Sequence, residues 1–372
     1  MEAEVAKVTS GPLATVPKGR WSGVRASQRP AATDRSSFLA AILLLSAALF
    51  IAILVSVSFG AIHIPVEAMM AAMFHNRPLT ETQHTILFEI RLPRVLASAV
   101  VGSALAVSGL MFQGLFRNPM ADPYIIGASG GAALGACCGI VFFTEVSFLG
   151  FSATALMAFA GSVIAMTIVY SLARTRGRTS GVTLLLAGFA TGTMLTNSTY
   201  FFELFESNSS SNIRVVAAWL HGTVGVPEWK QLAVTALIFV VAGVAAYPLM
   251  RRLNTLALGD EYAHQLGMRV ETTRIAIILV GSLLTAVAVS LSGLISFAGL
   301  IIPHVARLLF GPDNVRLLPV TAIGGAIFLV VADTLARTIL APSELPVGIL
   351  MVFIGGPFFL YLLRRSKREY TL

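Results

Sequence analysis

The chain carries little charge and almost no cysteine. Only 12% of its 372 residues are Asp, Glu, Lys or Arg, whereas ordinary soluble domains carry about 25%. The 2 cysteines, Cys137 and Cys138, are adjacent within one apolar segment. Neighbouring helix positions point about 100° apart, so these two side chains do not favour a disulfide, and they lack the spacing of zinc ligands. The composition therefore argues against a soluble domain and against a fold held by disulfides or zinc.

Sequence signatures of catalysis are also missing. The chain has no G-x-x-x-x-G-K-[ST], and so no P-loop for a nucleotide, and it has neither H-E-x-x-H nor G-x-S-x-G. His63, His75 and His84 lie near one another in sequence, but solvated loop histidines are favoured there over haem or metal capture. We therefore predict a protein without catalytic residues, metal ligands or a cofactor of its own.

Long apolar segments are what the chain has instead. Hydrophobic residues make up 56% of the sequence, and the mean hydropathy is +0.82. About 20 apolar residues cross a ~30 Å hydrocarbon core as a helix, and lipid requires the backbone groups to pair within the segment. We therefore predict an all-α polytopic membrane protein with about ten transmembrane helices. The predicted segments are 38–59, 92–112, 124–143, 148–172, 182–203, 230–250, 275–291, 292–310, 317–340 and 345–363.

Lys and Arg are distributed unevenly between the loops. With the N-terminus placed in the cytoplasm, twenty of the 26 lie in cytoplasmic segments and six on the other side. Cytoplasmic loops of membrane proteins carry the excess of positive charge, so we predict that both termini are cytoplasmic. The net charge of +8 then reflects topology and contacts with membrane lipid rather than binding to nucleic acid.

Two regions differ from the apolar segments. Residues 1–37 are rich in Ala, Ser, Pro, Gly and Arg without apolar periodicity, and we predict a disordered cytoplasmic tail ahead of a transmembrane domain at 38–366. The second region is the polar, helix-prone loop 251–274, which Gly259 and Gly267 divide into short helical pieces. Because this loop is predicted to face the cytoplasm, we expect a soluble partner protein to bind it.

A faint internal repeat links two of the segments. The sequence GSALAVSGL at 102–110 resembles GSLLTAVAVSLSGL at 281–294. The two predicted helices cross the membrane in opposite directions, as the halves of an inverted repeat do. This echo favours a transporter built from two related halves.

Four blocks of sequence resemble a known family. They are similar to the permease subunits of ABC importers for iron-siderophores, haem and cobalamin, the FecCD-type permeases. The blocks follow the order of that family and, with the segments between them, cover nearly everything from residue 38 onward. They are IRLPRVLASAVVGSALAVSGLMFQGLFRNPMADPYIIGASGGA at 90–132, LALGDEYAHQLGM at 256–268, SGLISFAGLIIPHVARLLFG at 292–311, and ADTLARTILAPSELPVGILMVFIGGPFFLYLL at 332–363.

The resemblance implies a fold, partners and a location. The fold is that of type II ABC importers, the cobalamin-permease-like class, in the plasma (inner) membrane of a bacterium. The implied partners are a second copy or a related permease, two ABC ATPase subunits that hold ATP and Mg, and a periplasmic or lipid-anchored substrate-binding protein. The resemblance further implies that 251–274 couples the permease to the ATPase. The residues matching the coupling motif are Leu256, Leu258, Gly259, Asp260, Glu261, Ala263, Leu266 and Gly267.

Three arginines lie where Lys and Arg are otherwise scarce. Arg91 and Arg94 stand at the start of the second apolar segment, and Arg337 lies near the end of the ninth. Arginine binds carboxylates bidentately, and arginines at matching positions of the family meet acidic residues of the binding protein. We therefore predict docking on these arginines rather than snorkelling to headgroups. Asp333, one turn before Arg337, is expected to engage part of its charge.

The fifth apolar segment, 182–203, is the predicted pathway helix. Thr193, Asn197 and Tyr200 fall on one face at helical spacing. Such groups also bond back to their own helix or join neighbouring helices, but the family places this helix along the translocation pathway. The predicted pathway residues are Gly188, Thr193, Thr196, Asn197 and Tyr200.

The predicted function is a non-catalytic permease subunit of an ATP-driven importer. An iron chelate such as a ferric siderophore is the expected cargo, on its frequency in the family, with cobalamin and haem as alternatives. A secondary transporter is the alternative of another class, but it usually places ionisable groups at midspan, whereas Arg307 and Asp333 lie toward segment ends. An intramembrane enzyme would need a reactive cluster that the sequence lacks.

Overall fold

A computed structural model describes residues 35–60, 80–143, 146–148, 150–175, 178–179, 181–205, 210–341 and 343–369. Of the predicted tail, 1–37, only the last three residues are described, and they already belong to the first helix, which begins at Arg35. His63 and His75 also lie outside them.

Ten long helices occupy the ten predicted apolar segments in the described part of the chain. They are α1 (Arg35–Ser58), α3 (Leu92–Phe116), α4 (Ala128–Phe142), α5 (Ala153–Ala173), α6 (Gly181–Phe205), α8 (Trp229–Leu256), α10 (Val270–Ser292), α11 (Ala298–Phe310), α12 (Asn314–Thr338) and α13 (Val347–Glu369). The predicted all-α fold is confirmed.

Shorter elements connect these helices. The helices are α2 (Glu81–Thr85), a π-helical stretch Ile86–Arg91 that leads into α3, a 3-10 turn Pro123–Ile126, α7 (Ser210–Leu220) and α9 (Asp260–Gln265). The strands are β1 (Ser147–Phe148), β2 (Phe151–Ser152), β3 (Arg174–Thr175) and β4 (Arg178–Thr179), which pair antiparallel as β1 with β2 and β3 with β4. Each pair is a tight hairpin at one end of α5.

The described helices include six that are long and apolar enough to cross a membrane. The helix running from Glu81 to Phe116 is the longest of these, at 36 residues. Three further apolar helices, Ala128–Phe142, Ala298–Phe310 and the Val347–Leu362 part of α13, are shorter. The chain is a multi-pass membrane protein.

Helix α3 lies at the centre of the bundle, and glycines allow its neighbours to approach closely. A Cβ added at Gly102 would lie 2.1 Å from the carbonyl oxygen of Gly325 in α12, and one added at Gly109 would lie 1.8 Å from that of Gly299 in α11. In membranes, where no water drives helices together, association depends on such close packing of small residues. These two glycines therefore fix where α11 and α12 meet α3.

The junction between α10 and α11 is a bent five-residue loop, 293–297, although the predicted segments 275–291 and 292–310 adjoin without a gap. Gly293 and Phe297 have positive φ angles of 63° and 69°, and the amide of Gln113 in α3 donates to the carbonyl oxygen of Leu300 (3.0 Å). The two echoing segments also meet, since the hydroxyls of Ser108 and Thr285 are 2.7 Å apart. Helices α3 and α10 thus form one central pair.

Candidate functional site

Two of the three predicted docking arginines, Arg94 and Arg337, converge on one buried carboxylate, whereas Arg91 contacts the end of α1. Asp333 of α12 is fully buried, and its Oδ1 accepts hydrogen bonds from Arg94 Nε (3.2 Å) and Nη2 (3.1 Å) of α3. Its Oδ2 lies 3.0 Å from Arg337 Nε, an ion pair within α12. The expected pair of Asp333 with Arg337 is confirmed, and Asp333 also joins α12 to α3. We call Arg94, Asp333, Arg337 and Glu344 the Asp333 cluster.

A second carboxylate completes this cluster at its rim. Arg94 Nη1 donates to Glu344 Oε2 at 2.8 Å, and the Glu344 side chain is 49% exposed. Further guanidinium contacts go to the end of α1. There Arg337 Nη2 donates to Ser56 Oγ (2.9 Å), and Arg91 Nη1 donates to the carbonyl oxygen of Val57 (3.0 Å). The arginine side chains therefore hold α1, α3 and α12 together at this end of the bundle.

Burial distinguishes these arginines from an open docking patch. Arg91, Arg94 and Arg337 are only 5%, 7% and 8% exposed. Sequence reasoning placed them together correctly but did not predict their burial, nor Glu344 as a partner. Glu344 is the only acidic residue between positions 334 and 368, a signal that could have found it. Docking on these arginines stays a prediction.

The predicted coupling segment, 251–274, contains one short helix, α9, between two glycines. Gly259 and Gly267, on either side of α9, have φ angles of 119° and 80°, which residues with a side chain rarely adopt. Leu256 and Ala263 are buried at 3% and 0% exposure and attach the segment to the bundle. The predicted division of this loop by the two glycines is confirmed.

An apolar stripe covers the outward side of the coupling segment. Leu258, Tyr262 and Leu266 are 64%, 65% and 69% exposed. Tyr262 and Leu266 are one helical turn apart and so share one side of α9, whereas Leu258 precedes the break at Gly259. We call these three side chains the apolar stripe. Glu261 is exposed beside them. A row of large apolar side chains on a polar loop is typical of a surface that meets a protein partner.

Asp260 points back into its own chain. Its Oδ1 is 3.1 Å from Arg117 Nη2 and its Oδ2 is 2.6 Å from Arg274 Nη2. Arg117, in the left-handed region at φ 50° after the end of α3, also donates to the carbonyl oxygen of Leu256. The Asp260 cluster of these three side chains therefore ties the coupling segment to α3 and to α10. Sequence reasoning identified Asp260 but missed both of its partners.

The predicted pathway residues divide between two sides of α6. Thr193, Asn197 and Tyr200 are exposed, whereas Thr196 is half-buried and Gly188 is buried against the turn at Gly127. The amide of Asn197 donates to the carbonyl oxygen of Thr193 (2.8 Å), so one group bonds back to its own helix. The open side of α6 continues toward its N-terminus through the exposed residues Val182, Leu186 and Phe189.

Comparison with known proteins identifies relatives over most of the chain. Residues 48–365 match the FecCD transport family. A cobalamin import permease, BtuC, from Halobacterium salinarum is 45% identical over 76% of this chain and 74% of its own length. The hemin permease HmuU of Yersinia pestis is 38% identical over 85% of this chain and 94% of its own.

Two further relatives extend the comparison to another cargo and to a solved structure. The iron(3+)-hydroxamate permease FhuB of Bacillus subtilis is 38% identical over 84% of this chain and 80% of its own length. A structure described as an inward-facing ABC transporter of metal-chelate type superposes with a TM-score of 0.76 at 28% identity, covering 87% of this chain and 98% of that one. The chain belongs to the FecCD transport family and is an ABC import permease.

Proposed function

We propose that this chain forms one half of the translocation pathway of an ATP-driven importer for a metal chelate. Its relatives are named for hemin, iron(3+)-hydroxamate and cobalamin import, and each of these cargoes is a bulky organic chelate of a metal. An iron chelate such as a ferric siderophore is the first candidate. Cobalamin is the second, because the relative with 45% identity is a cobalamin permease.

The pathway is proposed to run along the open side of α6. Thr193, Asn197 and Tyr200 form an uncharged polar patch there, which lets a large chelate pass without binding it tightly. One chain leaves this side uncovered, so a second copy or a related permease is the proposed occupant. Thr196 and Gly188 then support the helix from behind rather than line the passage.

The orientation proposed for the chain places both termini in the cytoplasm, across the bacterial plasma (inner) membrane. Its support is the twenty-to-six distribution of Lys and Arg. Residues 1–37 are then a cytoplasmic tail. The two ion clusters lie at opposite ends of α3, since Arg94 and Arg117 are separated by about 35 Å at 1.5 Å per residue. The Asp260 cluster faces the cytoplasm and the Asp333 cluster faces outward.

The coupling segment is the proposed contact with an ABC ATPase. The ATPase is the subunit proposed to hold ATP and Mg, and two such subunits would bind one pair of permeases. Its support is the apolar stripe of Leu258, Tyr262 and Leu266. Truncating Tyr262 and Leu266 to Ala should reduce copurification of the ATPase, because the stripe loses most of its apolar area. His264→Ala changes an exposed residue on the opposite side of α9 from Tyr262, and should leave copurification intact.

Transport by the reconstituted permease and its ATPase tests the proposal. Labelled ferric siderophore, haem and cobalamin are offered to proteoliposomes that contain either ATP or an ion gradient alone. ATP should drive uptake of one of the three, and Asn197→Trp should block that uptake, whereas Asn197→Ser should retain it because a small polar side chain keeps the passage open. Uptake driven by the gradient without ATP would instead identify a secondary transporter.

A further inference from the structure

The Asp333 cluster contains two carboxylates of very different character. Asp333 is fully buried between Arg94 and Arg337, whereas the Glu344 side chain is 49% exposed. Arg91, Arg94 and Arg337 carry three positive charges against the two carboxylates of Asp333 and Glu344, so these five side chains have a net charge of +1. Removing the Asp333 charge would leave Arg94 and Arg337 buried without a negative partner between them, which would destabilise the folded protein. Removing Glu344 exposes one edge of Arg94 to solvent and leaves Asp333 in place.

The backbone around Glu344 is fixed independently of its side chain. The amide of Leu345 donates to the carbonyl oxygen of Ala336 (3.0 Å), and that of Ser343 donates to the carbonyl oxygen of Leu340 (3.0 Å). Neither contact involves the Glu344 carboxylate. This side chain can therefore rotate away from Arg94 without unfolding the segment that carries it.

We propose that Glu344 occupies Arg94 until a carboxylate of an acidic protein partner replaces it. The inference rests on the proposed docking of a substrate-binding protein on these arginines. It explains how a partner carboxylate gains access to Arg94, although that arginine is buried. Arg94 Nη1 is the guanidinium nitrogen bonded to the exposed carboxylate, while Nε and Nη2 remain on Asp333. The exchange replaces one charge-assisted hydrogen bond by another, so Arg94 is never left without a partner.

In this proposal the Glu344 carboxylate competes with the partner for Arg94. Removing that competition should therefore raise the affinity of the partner for the permease. Neutralising Glu344 should strengthen docking, because the partner no longer has to displace a charged carboxylate from Arg94. A glutamate that serves only as a structural tie would give the opposite or no change. The gain should shrink at high salt, since screening weakens interactions between exposed charges.

The experiment measures the Kd of the purified, ligand-loaded substrate-binding protein of the same import system for the full transporter in nanodiscs. Glu344→Gln should lower the Kd about two- to fivefold at low salt, the range of an exposed ion pair. Glu89→Gln is the matched control, because Glu89 is exposed near the start of α3 and has no ion pair among the described residues. It removes the same charge without freeing Arg94, and should leave the Kd unchanged.

Three results would overturn the inference, and the first two differ in whether the proposed docking fails as well. If wild-type docking weakens with salt but Glu344→Gln binds no more tightly, the exchange is wrong and carboxylate docking stands. If wild-type docking is insensitive to salt and Glu344→Gln has no effect, the proposed docking on arginines fails with it. An equal gain in the Glu89→Gln control would also overturn the exchange, since general charge would then account for the effect.

Discussion

The two ends of α3 carry the same arrangement of charges in opposite surroundings. At one end Asp333 lies between Arg94 and Arg337, with side-chain exposures of 0%, 8% and 6%. At the other end Asp260 lies between Arg117 and Arg274, and the corresponding exposures are 46%, 46% and 21%. The same chemistry is therefore enclosed at one face of the permease and open at the other.

The difference in burial assigns different work to the two clusters. Breaking a buried ion pair leaves an uncompensated charge and costs about 3–5 kcal/mol, whereas an exposed pair contributes about 0–1 kcal/mol. Once its charges are buried, the Asp333 cluster must therefore stay complete for α1, α3 and α12 to remain stably packed. The Asp260 cluster contributes little stability, and its value lies in the direction in which it holds the coupling segment.

The largest expected effect on stability comes from removing the buried carboxylate of Asp333. Asp333→Asn keeps the side-chain volume but leaves Arg94 and Arg337 buried without a negative charge between them, so the free energy of unfolding should fall by about 3–5 kcal/mol. Thermal unfolding of the purified permease measures this. Glu344→Gln is the control at the rim of the same cluster and should change Tm little. An unaltered Tm in Asp333→Asn would remove the distinction between the clusters.

An apolar replacement of the enclosed cluster sharpens the same point. Arg94→Met, Asp333→Leu and Arg337→Met together remove every charge at once, and such exchanges of buried ion groups are often neutral or stabilising. Stability should therefore recover relative to Asp333→Asn, whereas the proposed docking of the binding protein should be lost. Docking that survives in this folded variant would show that these arginines serve assembly alone.

The next effect in size concerns the glycine that ends the coupling helix. Gly267→Ala places a side chain at φ 80°, which costs about 1–2 kcal/mol of backbone strain, although an added Cβ meets no atom within 4 Å. The segment should change its path, so transport should fall while the protein still inserts. Gly243→Ala in α8 also meets open space, but its helical backbone should gain up to about 1 kcal/mol. Equal transport in the two variants would contradict this assignment.

Much of the architecture was readable from sequence because each feature depends on neighbours along the chain. Apolar length predicted the ten long helices, and Gly259 and Gly267 predicted the breaks around the coupling helix. The pair of Asp333 with Arg337 followed from one turn of helix. In each case the physical cause lies within a few residues, so periodicity and residue type are sufficient.

The features that escaped sequence reasoning depend on how distant helices pack. Arg94 and Asp333 are 239 residues apart, and Arg117 and Asp260 are 143 apart. Lys and Arg counts place an arginine at a helix end but do not say whether a neighbouring helix covers it. The burial of Arg91, Arg94 and Arg337, and the role of Arg117 and Arg274 as partners of Asp260, therefore required the assembled bundle.

The smallest expected effect on stability is also the one most specific to function. Asp260→Asn removes the charge of the open cluster, and Tm should change by no more than an exposed pair allows, about 0–1 kcal/mol in free energy. Arg117 and Arg274 then lose the carboxylate that ties the coupling segment to α3 and α10. Conformational changes of the ATPase should therefore be transmitted less efficiently to the transmembrane helices. The ratio of cargo imported to ATP hydrolysed in proteoliposomes measures this loss, and it should fall while the ATPase still copurifies. Glu89→Gln is the control, because Glu89 is exposed at the opposite end of α3 and has no ion pair among the described residues. A ratio unchanged in Asp260→Asn would mean that the open cluster neither stabilises the permease nor transmits motion.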